Sequence, residues 1–132
     1  MSLMVLGTSS HAGKSSITAG ICRILSDRGI PVAPFKAQNM SLNSYITEEG
    51  AEIGIAQATQ AFAARARPVA EMNPVLLKPK GNAVSQVVLL GKPWKDTKIS
   101  DYYLETEYLL NEAVAAYDRL KAEYTNIIVE GA

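Results

Sequence analysis

One stretch decides what this chain can fold into: Val5-Leu6-Gly7-Thr8-Ser9-Ser10-His11-Ala12-Gly13-Lys14-Ser15-Ser16. A short apolar run, Leu3 to Leu6, enters a turn rich in glycine and serine. The turn closes on Gly-Lys-Ser, where a helical pattern begins. This strand–loop–helix order is the context in which a phosphate-binding loop works. Its backbone N–H groups converge on an oxyanion, and the helix N-terminus adds partial positive charge. Lys14 is placed to reach the β- and γ-phosphates of ATP, and the Ser15 hydroxyl to ligate Mg²⁺. The nucleotide-binding residues expected here are Thr8, Ser9, Ser10, His11, Ala12, Gly13, Lys14, Ser15 and Ser16, with Lys14 also catalytic. The common pattern puts four residues between its two glycines, whereas five separate Gly7 from Gly13. Either Thr8 takes the first glycine's place or the loop is one residue longer. The plain alternative is a turn that merely caps a helix; the flanking strand and helix favour the phosphate loop.

Beyond the loop, Ile17, Ile21, Ile24 and Leu25 recur at helical spacing until Gly29. Cys22 beside that stripe reads as a small buried apolar residue, because no base is spaced to activate it. Ile30 to Phe35 reads as a second strand, followed by a polar, amide-rich loop, Lys36 to Ser44, with one lysine. Open α/β sheets bind ligands after the carboxyl ends of their strands. Glu52 to Arg67 reads as an Ala-rich helix ended by Pro68, with Gln57 and Gln60 on one face. Met72 to Pro79 reads as extended and irregular, and Ser85 to Leu90 as a strand closed by Gly91 to Pro93. Trp94 reads as a packing residue. Ser100 is the expected N-cap of a long helix to about Tyr124, with Leu109, Leu110, Ala113, Val114, Ala116, Tyr117 and Leu120 on its apolar face. Asn126 to Val129 is a buried strand ending in Glu130.

Strands alternating with helices argue for an α/β fold: a P-loop NTPase-like parallel sheet with helices on both faces, three layers deep. In such a sheet Glu130 ends on the same edge as the phosphate loop, and its strand is expected beside the one ending at Leu6, since only that neighbourhood puts Glu130 within water-mediated reach of a metal on Ser15. A carboxylate there serves Mg²⁺, which needs hard oxygen ligands. The bland reading is a surface glutamate.

Composition narrows the class. The chain has 132 residues, 48% of them hydrophobic, and a formal net charge of zero. One domain with a substantial core is expected. Neutral balance argues against nucleic-acid and membrane partners, and no apolar run approaches a membrane span. A single cysteine excludes an internal disulfide and fits a cytoplasmic protein.

Several stretches together resemble the N-terminal synthetase domain of the cobyric acid synthase family. They are Gly7 to Ser15; Ala33-Pro34-Phe35-Lys36-Ala37-Gln38-Asn39-Met40-Ser41-Leu42-Asn43-Ser44; Glu52-Ile53-Gly54 with Ala56-Gln57-Ala58; Met72 to Pro79; Ser85-Gln86-Val87-Val88; and Val129-Glu130-Gly131-Ala132. The longer loop is similar to that of the related dethiobiotin synthetases. The resemblance implies glutamine-dependent, ATP-driven amidation of the peripheral carboxylates of adenosylcobyrinic acid a,c-diamide during cobalamin synthesis. ATP phosphorylates each carboxylate and ammonia displaces the phosphate. It implies Ser15, Glu52 and Glu130 as Mg²⁺ ligands, and Lys36 as a catalytic residue between γ-phosphate and substrate carboxylate. Gln38, Asn39 and Asn43, with Lys36, would line the corrinoid side. Position 11 is often acidic in such loops and is histidine here. The resemblance also implies that residues 1–132 are the N-terminal part of the synthetase domain, an incomplete domain without its C-terminal glutaminase, and inactive alone. An open sheet edge then admits a homodimer.

Other readings stay open. One is a dethiobiotin-synthetase-like or cobyrinate a,c-diamide synthase-like ligase. Another is a partitioning-type ATPase switch, whose second loop lysine is replaced here by the Thr8–Ser10 region. A third is a nucleotide-binding interaction module without chemistry.

Overall fold

Parallel neighbours cannot be joined by a tight turn, so each pair needs a crossover. The structure, a computed structural model, describes residues 1–131. Strand β1 (Ser2–Val5) passes through the glycine loop into helix α1 (Lys14–Asp27), which returns the chain to β2 (Val32–Phe35). Three short strands follow, β3 (Gln38–Met40), β4 (Ser44–Ile46) and β5 (Glu52–Gly54), then α2 (Ile55–Ala63). A 3-10 turn over Ala70–Met72 leads to β6 (Val75–Gly81), β7 (Val84–Leu89) and β8 (Lys92–Lys98). A second 3-10 turn, Tyr102–Glu105, precedes α3 (Thr106–Glu123) and β9 (Asn126–Glu130).

The central sheet is parallel, with β9 between β1 and β2. Val5 pairs with Glu130, and Phe35 with Val129. All three strands therefore end at one edge. Ile127 and Ile128 are both buried; adjacent strand residues face opposite ways, so both faces of β9 are covered. Helices α1 and α2 pack on each other and on β2, while α3 lies against β9 and the first 3-10 turn. Cys22, Ala61, Met72 and Leu120 join the two isoleucines in the core. Phe35 meets Tyr117 of α3 edge-to-face at 5.3 Å, the arrangement favoured by ring quadrupoles. Among the described residues no helix is long and apolar enough to cross a membrane.

The α/β class with a mainly parallel sheet and covering helices is as the sequence implies, but its extent is not. The Ser85–Leu90 strand does not join the central sheet. It is β7 of a separate four-stranded sheet, β3-β6-β7-β8, in which only β3 and β6 are parallel. The cause is turn chemistry: Asn82 and Ala83, then Leu90 and Gly91, all take positive φ, the two-residue hairpin geometry that forces antiparallel pairing. Strand β8 was not expected, because Lys-Pro-Trp-Lys-Asp-Thr-Lys has no apolar alternation; it is a lysine-rich edge. Trp94 stacks on Tyr108 at 5.4 Å on that partly exposed rim.

Other boundaries shift for local reasons. The expected Glu52–Arg67 helix begins as strand β5, paired with β4. It ends at Ala63, before Pro68, because Arg65 takes φ 53° and the Ala66 N–H returns to the Ala61 carbonyl, a left-handed cap usually given to glycine. The Lys36–Ser44 loop contains β3. Ser100 does not cap α3: Glu105 holds the N-cap position after the 3-10 turn. Of the expected α3 face, Leu109, Ala113, Ala116 and Leu120 are buried, while Leu110 and Val114 are exposed. On α1 the buried line is Thr18 and Cys22, with Ile17 and Ile24 exposed.

Candidate nucleotide site

The loop after β1 owes its shape to two left-handed residues. His11 has φ 60° and Gly13 has φ 93°, and Gly13 is the residue from which α1 starts. Gly7 serves a different need. A Cβ there would stand 3.0 Å from the Lys14 side-chain carbons, so glycine makes room for the lysine stem. Lys14 Nζ folds back to donate to the Ser9 carbonyl at 3.3 Å. Ser10, His11, Ala12, Gly13, Lys14, Ser15 and Ser16 line a cleft of about 470 Å³ with Lys36, Met40 and Glu130. Thr8 and Ser9 belong to the loop but not to that lining.

Three strand ends meet in this cleft. Glu130, 3% exposed at the end of β9, accepts through Oε1 from Ser15 Oγ at 2.8 Å and from Lys36 Nζ at 2.9 Å. Its Oε2 accepts from Gln60 Nε2 at 2.6 Å. Burial pushes the Glu130 carboxyl up, but the bonds from Lys36, Gln60 and Ser15 and the lysine charge outweigh burial and hold its pKa below the usual glutamate value. Lys36, just past β2, is fixed through its backbone: its N–H donates to the Met72 carbonyl and its carbonyl accepts from Asn73 Nδ2. Asn73, 1% exposed, also donates to the Val75 carbonyl and accepts the Gly54 N–H.

The donor set suits Mg²⁺. Ser15 Oγ and Glu130 Oε1 are hard oxygens 2.8 Å apart, close to the ~2.9 Å edge of an octahedron with ~2.05 Å bonds. Ser15 gives its proton to Glu130 and keeps its lone pairs free. Among the described residues no group of three or more His, Cys, Asp or Glu side chains is placed to hold a metal. Glu52 lies in a second cluster, where Oε1 accepts from Ser44 Oγ at 2.6 Å and from Lys78. Burial pushes its carboxyl up, but the hydrogen bonds from Lys78 and Ser44 and the lysine charge prevail and lower the pKa. Of the expected substrate residues, Asn39 Nδ2 donates to Gln57 Oε1 at 3.0 Å. Gln38 accepts from the Tyr102 hydroxyl, and Asn43 sits in a turn closed by Ser41. The structure thus joins Ser15, Lys36 and Glu130 by hydrogen bonds, and keeps Glu52, Gln38, Asn39 and Asn43 outside the cleft lining.

Sequence reasoning passed over Gln60 and Asn73. Two glutamines on one face of an Ala-rich helix were the available signal, since a buried amide requires partners.

A glycine loop opening α1, with a lysine, a hydroxyl and a carboxylate gathered at the carboxyl edge of a parallel sheet, defines a P-loop nucleotide-binding domain. The chain belongs to the CobQ/CobB/MinD/ParA nucleotide binding domain family, which it matches over residues 3–128. It is 69% identical over 132 residues to the probable cobyric acid synthase of Methanosphaerula palustris, and 67% identical to that of Methanoculleus marisnigri. Both alignments cover 100% of this chain and 27% of the relative. The probable cobyric acid synthase of Methanoregula boonei is 67% identical over all 132 residues, which span 28% of its length. The chain thus spans about a quarter of the length of these curated relatives. No solved structure matches it.

Proposed function

We propose that residues 1–132 are the N-terminal part of the ATP-binding synthetase domain of a cobyric-acid-synthase-type ligase. The reaction is ATP-dependent amidation of peripheral carboxylates of adenosylcobyrinic acid a,c-diamide. The observation that carries this reading is the Ser15–Glu130–Lys36 cluster at the mouth of the phosphate loop, in a chain similar along its whole length to probable cobyric acid synthases.

A carboxylate repels an attacking amine, and conversion to an acyl phosphate removes the charge and creates a leaving group. The protein's share is to hold anions together and neutralise them. The loop amides from Thr8 to Ser16 and Lys14 hold the triphosphate; Lys14 exchanges the Ser9 carbonyl for phosphate oxygens. Ser15 and Glu130 would hold Mg²⁺, which would supply positive charge against the phosphates. Glu52 would be a further ligand, and would have to give up Lys78 to serve. Lys36 leaves Glu130 to bridge the γ-phosphate and the substrate carboxylate, and Gln38, Asn39 and Asn43 face the corrinoid.

Ammonia comes from glutamine hydrolysed by a glutaminase domain outside these residues. Cys22 is the only thiol, and burial pushes it up to about 12, so it supplies no thiolate at neutral pH. The test is to titrate the chain with ATP and Mg²⁺ by calorimetry. The chain is then incubated with MgATP, ammonium and the corrinoid diamide, with phosphate release followed. Saturable Mg²⁺-dependent binding and corrinoid-stimulated release support the reading. ATP binding without corrinoid stimulation, even when the remaining polypeptide of a close relative is added, favours a partitioning-type switch. Glutamate release from glutamine, lost on Cys22→Ser, would overturn the assignment of hydrolysis elsewhere.

A further inference from the structure

Gln57 and Gln60 of α2 are 0% and 1% exposed, although glutamine is mostly a surface residue. Gln60 Nε2 donates to Glu130 Oε2 at 2.6 Å and to the Ser15 carbonyl at 3.3 Å. One amide thus touches the side chain of one proposed Mg²⁺ residue and the main chain of the other. Among the described residues, Gln60 Oε1 is buried without a partner, and so is Nε2 of Gln57. These are an acceptor and a donor three residues apart on one helix face. Gln57 Oε1 accepts from Asn39 on β3. A buried amide left half satisfied is costly, so packing alone would favour an aliphatic residue at both positions.

We propose that Gln60 is a positioning residue for the metal carboxylate: it anchors Glu130 Oε2 from the buried side, so that Oε1, shared with Ser15 and Lys36, is the oxygen presented to the ion. Gln57 ties the same turn of α2 to β3 through Asn39. The proposal rests on reading Glu130 as the Mg²⁺ carboxylate. A carboxylate bonded through one oxygen cannot rotate the other away, and such supporting bonds set the affinity of a metal site.

The test measures ATP affinity by calorimetry with and without Mg²⁺ for the wild-type chain, Gln60→Met, Gln60→Asn and Glu130→Gln. Gln60→Asn keeps an amide but retracts it by one C–C bond of ~1.5 Å, so it serves if the methionine variant does not fold. Both Gln60 variants are expected to lose about tenfold or more of the Mg²⁺ enhancement, with Mg²⁺-free affinity little changed. A glutamine that merely supports the fold would lower both affinities together, and that result overturns the proposal. Full Mg²⁺ enhancement in both Gln60 variants, where Glu130→Gln is impaired, overturns the positioning role alone. Full enhancement in Glu130→Gln overturns the metal reading of Glu130 and the proposal with it.

Discussion

Replacing Lys36 by methionine keeps most of the side chain's unbranched length and removes its charge. The pair it breaks is buried: Lys36 Nζ lies 2.9 Å from Glu130 Oε1, with side chains 15% and 2% exposed. At an effective dielectric of ~20, unit charges at that distance attract by roughly 6 kcal/mol before desolvation is subtracted. Stranding one partner of a buried pair costs about 3–5 kcal/mol. Glu130 keeps its bonds from Ser15 and Gln60, so the expected loss is smaller, about 2 kcal/mol. For a domain of this size that lowers Tm by roughly 8 °C. The reverse change, Glu130→Gln, leaves Lys36 able to reach water and should cost less. The double variant should be more stable than Lys36→Met alone, because no charge is stranded. The pH dependence has a definite sign. Glu130 is held below its unfolded pKa, so its stabilisation is present above the ordinary glutamate range and is lost as pH falls through the lowered folded value. Lys36→Met should flatten that acid limb. Urea unfolding from pH 7 down to well below the ordinary glutamate range reads both effects. A Lys36→Met protein within about 0.5 kcal/mol of wild type, with an unchanged acid limb, would refute the reasoning.

Lys14→Ala should abolish measurable ATP binding while leaving Tm nearly unchanged, since its one side-chain hydrogen bond among the described residues is an exposed bond to Ser9 and its phosphate contacts are charge-assisted; calorimetry and a thermal melt check the two halves. Asn73→Leu leaves the Gly54 N–H and the Lys36 carbonyl without their side-chain partner and should cost about 3 kcal/mol, read by urea unfolding; a loss below 1 kcal/mol would mean that other groups satisfy them. Cys22 should resist a thiol reagent at pH 8 in the native protein and react at once in denaturant, because it is buried and its pKa is raised to about 12; rapid native labelling would show that α1 opens.

What the sequence made legible was local and strongly patterned. Gly13-Lys14-Ser15 marks both the turn and the start of α1. Ile127 and Ile128, with Glu130 after them, mark a buried strand ending in a carboxylate. Pairing was harder, because it depends on turns whose conformation no periodicity reveals. Ala83 and Leu90 are poor candidates for positive φ, yet both adopt it, and the second sheet follows from them. In the candidate site, Lys36 stood out as one cation in an amide-rich stretch, and Glu130 as a strand-end carboxylate. Gln60 and Asn73 did not, since buried amides look in sequence like surface amides. The Glu52 pairing with Lys78 joins the start of β5 to the middle of β6, 26 residues apart, a proximity that no local pattern reveals.

The central position of β9 sets the order of events during synthesis. β1 and β2 share no hydrogen bonds; each pairs only with the strand of residues 126–130. Val5 waits for Glu130, a closure across nearly the whole chain. Until then the glycine loop has no carboxylate opposite it, and Lys36 has no counter-charge. Local hairpins such as β6–β7 can form early, but long-range parallel pairing is slow, and unpaired strands are exposed in the interval. A nascent chain that pauses before residue 126 therefore carries every residue of the phosphate loop and still has no site. Nucleotide, if it binds as proposed, would act on folding only after β9 has inserted.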